Sequence, residues 1–318
     1  MKRLSIILVI GLLALAVSMP ALAVEVEISG VLDVQYIDAQ KDATTGVGAF
    51  YLGSQPDEMS LDHSYILLKG VVNEDISVTY KQNISTDDPT RKEAYLTIKN
   101  LKGLPEGTTL RAGKFYVPFG LSVWPASAVG VTWIADKNMI NNSDTKFGDH
   151  HLDTGLELSG SQSEINYKVA YVMGANDNAK DLWVKLGSIY RDVPCGLSYF
   201  RGKDGAAKFS ATGIDVAYKP NPKSGLEGEY IWSKKGIAKT NYSYLKATYK
   251  IDEANTAFLK YYEVDPKDGE TVKAYQMGNE YQYAKNTTLK IEYVVNDGKV
   301  GTTDPDNNLI KAEIKVSF

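Results

Sequence analysis

The sequence has 318 residues, among them 35 Lys or Arg, 39 Asp or Glu, three His and one Cys, with a formal net charge of −4. This balance does not provide the basic surface that nucleic-acid binding needs. The single cysteine, Cys195, rules out an intrachain disulfide, a Cys-x-x-Cys-His haem attachment and a thiolate metal cluster.

The N-terminus has the pattern of a cleaved signal peptide. Lys2 and Arg3 are followed by an apolar run over 4–17, and Ala21-Leu22-Ala23 gives an Ala-x-Ala cleavage pattern. The run is too short for a membrane anchor, which needs about 20 apolar residues. We expect residues 1–23 to be removed. The remaining 295 residues, without Lys2 and Arg3, carry 33 basic and 39 acidic side chains, a net charge of about −6.

Short alternating segments separated by turn residues occupy the rest of the chain, and they predict one all-β domain at 24–318. Apolar and polar side chains alternate with the period of 2 that a strand imposes, in segments of the length that a tilted strand needs to cross a bilayer. The mean hydropathy of −0.25 fits such strands, because their two faces average out. About sixteen strands, with a margin of two, are predicted at 27–38, 61–71, 75–83, 92–100, 108–117, 152–160, 164–173, 181–190, 194–201, 210–219, 225–233, 241–250, 255–263, 271–283, 286–296 and 308–318.

The connections alternate between short and long. Short ones include 73–74, 160–163, 192–193, 220–224, 251–253 and 284–285, and longer ones include 39–60, 84–91, 174–180, 202–209, 234–240, 264–270 and 297–307. Transmembrane barrels have short turns on one side and long loops on the other. A soluble two-sheet sandwich, the alternative fold, gives no reason for this rhythm.

The last strand has one apolar and one charged face. Ile310, Ile314 and Val316 alternate with Lys311, Glu313 and Lys315, and the chain ends on Phe318. An amphipathic strand that stops on an aromatic residue resembles the C-terminus of Gram-negative outer-membrane β-barrel proteins. The resemblance implies a transmembrane antiparallel barrel in the outer membrane.

Two segments resemble a particular porin family. Residues 110–121 contain Gly113-Lys-Phe-Tyr-Val-Pro118-Phe-Gly120, similar to the Gly-x-x-x-x-Pro-Phe-Gly run before the constriction loop of phosphate-selective porins of the O and P type. Residues 153–160 are similar to that family's Arg-Asp-x-Gly-x-x-x-x-Gly pattern after the loop, except that Leu152 replaces its arginine. The resemblance implies a porin that forms homotrimers, for which the residues themselves give no separate signal.

Phosphate selectivity does not carry over with the resemblance. Recognising a multiply charged anion favours the planar, bidentate guanidinium group. After residue 23 the chain has only four arginines, Arg91, Arg111, Arg191 and Arg201, spread over separate segments.

The connector 118–151 is much longer than its neighbours and is the third long connection, the one that general porins fold into the lumen. Unstructured loops this long are uncommon unless they are functional. We expect it to form the constriction; an exposed surface loop is the alternative. If Phe115 and Val117 face lipid, Lys114 and Tyr116 face the lumen. The candidate constriction and lumen residues are therefore Lys114, Tyr116, Trp124, Trp133, Asp136, Lys137, Asp144, Lys146, Asp149, His150 and His151.

The residues that alternate with the apolar ones along each strand should face the lumen, and they include both acidic and basic side chains. The basic members are Lys81, Lys99, Lys168, Lys185, Lys219, Lys246, Lys260, Lys290, Lys311 and Lys315. The acidic members are Asp33, Glu93, Asp153, Glu157, Asp215, Glu227, Glu229, Glu292 and Glu313. Interleaved charges hydrate a pore without filtering strongly by valence.

The sequence thus predicts a porin: a passive diffusion channel for small hydrophilic solutes and ions with weak charge selectivity, in contact with outer-membrane lipid. No cofactor, metal, nucleic-acid partner or enzymatic activity is expected. Two other classes stay open, a barrel that serves as an adhesin or sheathes a partner protein, and an outer-membrane enzyme. Asp62-His63-Ser64 offers catalytic residue types, but neighbours in a strand face opposite sides and cannot form a triad.

Overall fold

The computed structural model describes residues 25–39, 58–61, 64–84, 92–101, 103–120, 152–173, 180–190, 193–204, 207–267, 271–297 and 308–318. The predicted signal peptide and residues 121–151 of the predicted constriction loop lie outside these ranges. The strands are β1 Glu25–Ala39, β2 Glu58–Leu61, β3 Tyr65–Val71, β4 Ile76–Asn83, β5 Lys92–Lys99, β6 Thr109–Tyr116, β7 Leu152–Gln162, β8 Ile165–Val172, β9 Asp181–Tyr190, β10 Val193–Asp204, β11 Ala207–Asn221, β12 Ser224–Lys235, β13 Ala238–Lys250, β14 Asn255–Pro266, β15 Val272–Ala284, β16 Thr287–Asp297 and β17 Leu309–Ser317.

The strands form one closed antiparallel sheet. Each strand from β3 to β17 pairs with the next, and β1 closes the ring between β17 and β3. The short β2 pairs with β1 on the same edge as β3, so β2 and β3 together occupy one strand position. The barrel therefore has sixteen positions, which confirms the predicted fold class and strand count.

The two faces of the sheet differ as predicted. On β11, Ile214 and Val216 point outward and are exposed, whereas Phe209 and Asp215 point inward and are buried. An outward apolar face and a polar inner face are the arrangement that a bilayer requires of a barrel. Within the described ranges no helix is long and apolar enough to span a membrane.

The short turns share a local device. In three of them a side-chain oxygen of an Asn or Asp accepts hydrogen bonds from the backbone N–H groups two and three residues further along the chain. The accepting residues are Asn73, Asn221 and Asp252. Such side chains mimic a backbone turn. The N–H donors of Ala254 and Asn255 also hold the pKa of the exposed Asp252 carboxyl below its usual range.

Two predicted loops are shorter than expected. β10 and β11 extend to Asp204 and Ala207, and β12 and β13 extend to Lys235 and Ala238, so only two residues connect each pair. The prediction of longer connections at 202–209 and 234–240 was wrong there. The lysines at these strand ends look like loop residues in the sequence, but the backbone pairing of the strands continues through them.

The seam of the barrel is closed by the C-terminal residue. Gly30 N–H donates to the Phe318 carbonyl at 2.9 Å, and Phe318 N–H donates to the Gly30 carbonyl at 3.1 Å. A Cβ built on Gly30 would lie 2.5 Å from Cζ of the Phe318 ring and 2.7 Å from the Tyr65 carbonyl oxygen. Only glycine leaves room for this aromatic cover where β1 passes from β3 to β17.

We predict that Gly30→Val destabilises the barrel by about 1–3 kcal/mol, because a branched side chain overpacks the seam. The measurement is the midpoint of urea unfolding, followed on gels that separate folded from heated barrel. Gly228→Val is the matched control, since a Cβ at Gly228 meets no atom closer than 3.6 Å. Equal midpoints for the two variants would contradict the crowded seam.

Candidate functional site

The inward face of the barrel carries most of the charged side chains that the described residues bury. Directly opposed residues in neighbouring strands share a face, so the register assigns each one. Every residue of the predicted acidic and basic lining except Lys219, which lies in the register shift between β11 and β12, lies on the inward side by this criterion. Several are almost fully enclosed, including Asp33, Glu157, Glu292 and Lys311 at about 1% exposure each.

Four charges on β16 and β17 form an alternating lattice. The register sets Lys290 opposite Glu313 and Glu292 opposite Lys311. All four contacts of the square are ion pairs, with N···O distances of 3.3 Å for Lys290–Glu313, 3.4 Å for Lys290–Glu292, 3.8 Å for Lys311–Glu292 and 3.4 Å for Lys311–Glu313. Each charge is thus offset by two neighbours, which is how enclosed ions recover their lost hydration.

Further ion pairs occur around the ring. Lys81 pairs with Glu93 at 3.3 Å, with its ammonium 4.0 Å from the centre of the Tyr65 ring. Arg111 pairs with Glu157 at 3.4 Å and lies 5.1 Å from the Tyr95 ring. Acids and bases therefore interleave along the wall.

Like charges also meet in the register. Asp215 lies opposite Glu229, and Lys246 lies opposite Lys260. Lys185 on β9 reaches Asp215 at 3.6 Å and supplies an opposite charge to the first of these pairs. Like-charge contacts therefore occur beside ion pairs on the same wall.

A second inward-facing group is apolar and was not predicted. Aromatic rings form a chain along β9, β10 and β11, with centroids 4.0 Å apart for Trp183–Phe200 and 5.0 Å for Phe200–Phe209. The cluster lies near the strand ends that lead to the long connections. Its buried members are Phe115, Val117, Phe119, Ala170, Val172, Trp183, Phe200, Phe209, Ala211, Ile231, Tyr242, Tyr244, Tyr262, Val264 and Ala274.

The chain after β6 turns into this inner face. Phe119 packs edge-on against Trp183 with centroids 5.8 Å apart, above Gly213, where a Cβ would lie 3.2 Å from its ring. Gly120 N–H donates to Ser198 Oγ at 2.9 Å, and Lys185 Nζ donates to the Gly120 carbonyl at 2.7 Å. The segment 117–120 therefore extends from β6 to inward-facing groups of β9 and β10.

Gly120 is confined at this point. Its φ is +59°, which favours glycine, and a Cβ built on it would collide with the Glu229 carboxylate. The contact with Glu229 brings the segment as far as β12, six strands from its origin.

The predicted orientation of β6 was wrong. Phe115 and Arg111 face inward, and Lys114 lies opposite Ala94 and Thr154 on the outward side. Because Phe115 is apolar, the sequence predicts that it faces lipid, but the apolar inner cluster accommodates it. Tyr116 lies at the end of β6 with its ring centre 5.5 Å from Nζ of the inward-facing Lys81.

The remaining candidate constriction residues, Trp124, Trp133, Asp136, Lys137, Asp144, Lys146, Asp149, His150 and His151, lie outside the described residues. One signal for the missed inner aromatics was present in sequence: consecutive apolar residues such as Leu182-Trp183-Val184 place a bulky side chain on both faces of a strand. In the ranges that the structure covers, no three His, Cys, Asp or Glu side chains are grouped to hold a metal.

Comparison with solved structures shows the same fold. The matches include the anion-selective porin from Comamonas acidovorans, with a TM-score of 0.66 at 16% identity over 93% of this chain and all of that one. The outer membrane channel DcaP of Acinetobacter baumannii matches with 0.66 at 14% identity, over 94% and 99%. A trimer form of in-vitro folded OmpT of Vibrio cholerae matches with 0.66 at 13% identity, over 93% and 100%.

No curated protein matches the sequence significantly. The model of the Gram-negative porin family, in contrast, matches residues 11–301. That match covers most of the chain, and it agrees with a sixteen-position barrel, apolar outside and charged inside. The chain therefore belongs to the Gram-negative porin family and is located in the outer membrane.

Proposed function

We propose that this protein is a passive diffusion channel for small hydrophilic solutes and ions, reaching the membrane by way of the signal peptide 1–23. The observation that carries the proposal is a closed ring of strands whose inner face holds interleaved acidic and basic side chains. Charged side chains on the inner face indicate a lumen that water and polar solutes enter, because enclosing charge away from water does not stabilise a membrane protein.

Weak charge selectivity results from the way these charges are arranged. Opposite charges neutralise each other within the pairs Lys81–Glu93 and Arg111–Glu157 and within the β16–β17 lattice. Neither sign of charge therefore dominates the wall. The phosphate-selective O and P type is the finer assignment that the motifs at 110–121 and 153–160 suggest. Of the arginines, Arg111 faces the lumen and Arg201 faces outward, which argues against an inward arginine ladder.

We further propose that 118–151 forms the constriction. The segment 117–120 already contacts β9, β10 and β12, and the apolar inner cluster offers a wall for the next residues of the connector. In sequence, twelve of the twenty residues 121–140 are apolar, whereas 141–151 is mostly polar. The first part suits the apolar wall, and the second, with Asp144, Lys146, Asp149, His150 and His151, suits an aqueous path.

Three other functions are less well supported. A sheath for a large partner needs a wider barrel than sixteen positions provide, since diameter grows with strand number. An adhesin needs large external loops, but two-residue connections follow β10 and β12. An enzyme needs a base held beside a nucleophile, and the family and fold favour a channel instead.

A homotrimer, the form in which one solved OmpT occurs, is part of the proposal.

The proposal predicts discrete conductance steps in a planar bilayer. The purified protein should give single-channel currents that rise with KCl concentration, because ions cross through water in the lumen. Reversal potentials in a KCl gradient should be small. A barrel that inserts but stays electrically silent would contradict a channel.

Deletion of residues 126–145 should raise the single-channel conductance, because it removes the middle of the proposed constriction. Deletion of residues 300–306, in the connector between β16 and β17, is the control and should leave the conductance unchanged. If the two deletions have the same effect, the long connector lies outside the conducting path.

Gly120→Ala tests how the connector begins. The free energy of unfolding should fall by about 1–2 kcal/mol, because alanine is strained at a positive φ. The conductance should also shift, because the methyl group displaces the segment from Glu229. Gly236→Ala is the matched control, since Gly236 has a φ of +60° and open space around it. Conductance that changes equally, or in neither variant, would contradict a positioning role for Gly120.

A further inference from the structure

A band of basic side chains lies on the outward face at the ends of β10 to β13 where two-residue connections join β10 to β11 and β12 to β13, on the side of the barrel that also carries the long connections. The register assigns the face. Arg201 lies opposite Ser210, and four residues away on each strand the exposed Leu197 lies opposite the exposed Ile214. Because side chains alternate along a strand, Arg201 faces outward as Leu197 does. All members of the band are exposed. We call this set the outer basic rim, and it comprises Arg201, Lys203, Lys208, Lys234 and Lys239.

The rim brings like charges together. Lys203 lies directly opposite Lys208, and Lys234 directly opposite Lys239. Directly opposed side chains have Cβ atoms about 4.5–5.5 Å apart, and like charges at that distance repel. In contrast, Lys267 on the neighbouring β14 rim is neutralised by Asp265 at 2.7 Å.

The chain does not compensate this repulsion where the structure describes it. None of the five rim residues forms an ion pair with a described carboxylate. Among the described residues, the outward acid on the neighbouring β14, Asp265, is engaged by Lys267, Thr271 and Asn241. The positive charge of the rim is therefore available to an anion from outside the chain.

The height of the rim places it beside lipid headgroups. On the outward face of β11, Lys208 lies ten residues from Tyr218, which is about 33 Å along a strand and about 25 Å along a tilted barrel axis. That is the height of the apolar band. Below the rim lie Tyr199 and Trp232, the latter 4.7 Å from the Tyr230 ring, as expected of an interfacial aromatic belt.

We propose that the outer basic rim binds the phosphate groups of an anionic membrane lipid. Ammonium and guanidinium groups donate charge-assisted hydrogen bonds to phosphate oxygens, and an outward-facing site at this height meets lipid rather than solute. The paired lysines, which repel each other in the isolated barrel, would share a phosphate between them. This binding needs only the barrel in its membrane and goes beyond the channel function.

The test compares two fourfold variants with equal loss of charge. The rim variant is K203Q/K208Q/K234Q/K239Q, and the control K219Q/K223Q/K250Q/K285Q changes exposed lysines at the short-turn end. Native mass spectrometry in detergent would follow the binding of lipid A with two phosphates and of the same lipid without phosphate. We expect the wild type and the control to prefer the phosphorylated lipid by at least about tenfold, and the rim variant to lose that preference.

A fourfold Lys→Arg rim variant should retain the preference, which separates loss of charge from loss of fold. The proposal is overturned if the rim variant keeps the preference, or if the control loses it equally. It is also overturned if the rim variant changes only the mass of the protein oligomer, since the rim would then contact a second copy of the chain. Single-channel conductance of the rim variant tests the channel function separately and should not change, because the rim residues lie on the outward face.

Discussion

Closure of the backbone hydrogen-bond ladder is the constraint on which this structure depends. An unpaired N–H or C=O group in hydrocarbon costs several kcal/mol, so a membrane sheet must have no free edge. β1 satisfies this condition by pairing along one edge with β3 and β2 and along the other with β17. Gly30 and Phe318 mark the point where the ring closes, through two reciprocal backbone hydrogen bonds.

Closure divides the side chains into two solvents. The outward face meets hydrocarbon and is apolar, whereas the inward face can hold charge only if the charges are hydrated or offset by neighbours. The β16–β17 lattice shows how this is done in sequence: a Lys-x-Glu pattern on each of two antiparallel strands places opposite charges side by side in both directions. The same alternation that makes the strand amphipathic therefore also neutralises its polar face.

The inner face is not uniform, and this matters for function. Charged side chains line one part of the wall, and an apolar cluster built around Trp183, Phe200 and Phe209 lines another, close to the long connections. The chain leaving β6 uses both, because Phe119 packs on the aromatic rings while Gly120 is held by Lys185 and Ser198. A wall with both surfaces can fix a segment in place and still leave a polar path beside it.

The sequence by itself determined the fold class, the sixteen strand positions and the inward-facing charges, because the side-chain period of a strand is a local property that each segment displays on its own. It could not determine the orientation of β6, since apolar residues lie on both of its faces and only the register with Glu157 and Ala94 decides between them. Nor could it locate the inner aromatic cluster or the contact of Gly120 with Glu229, which join residues on strands far apart in the chain. Those features exist only once the ring has closed, because closure alone sets the distances across the lumen.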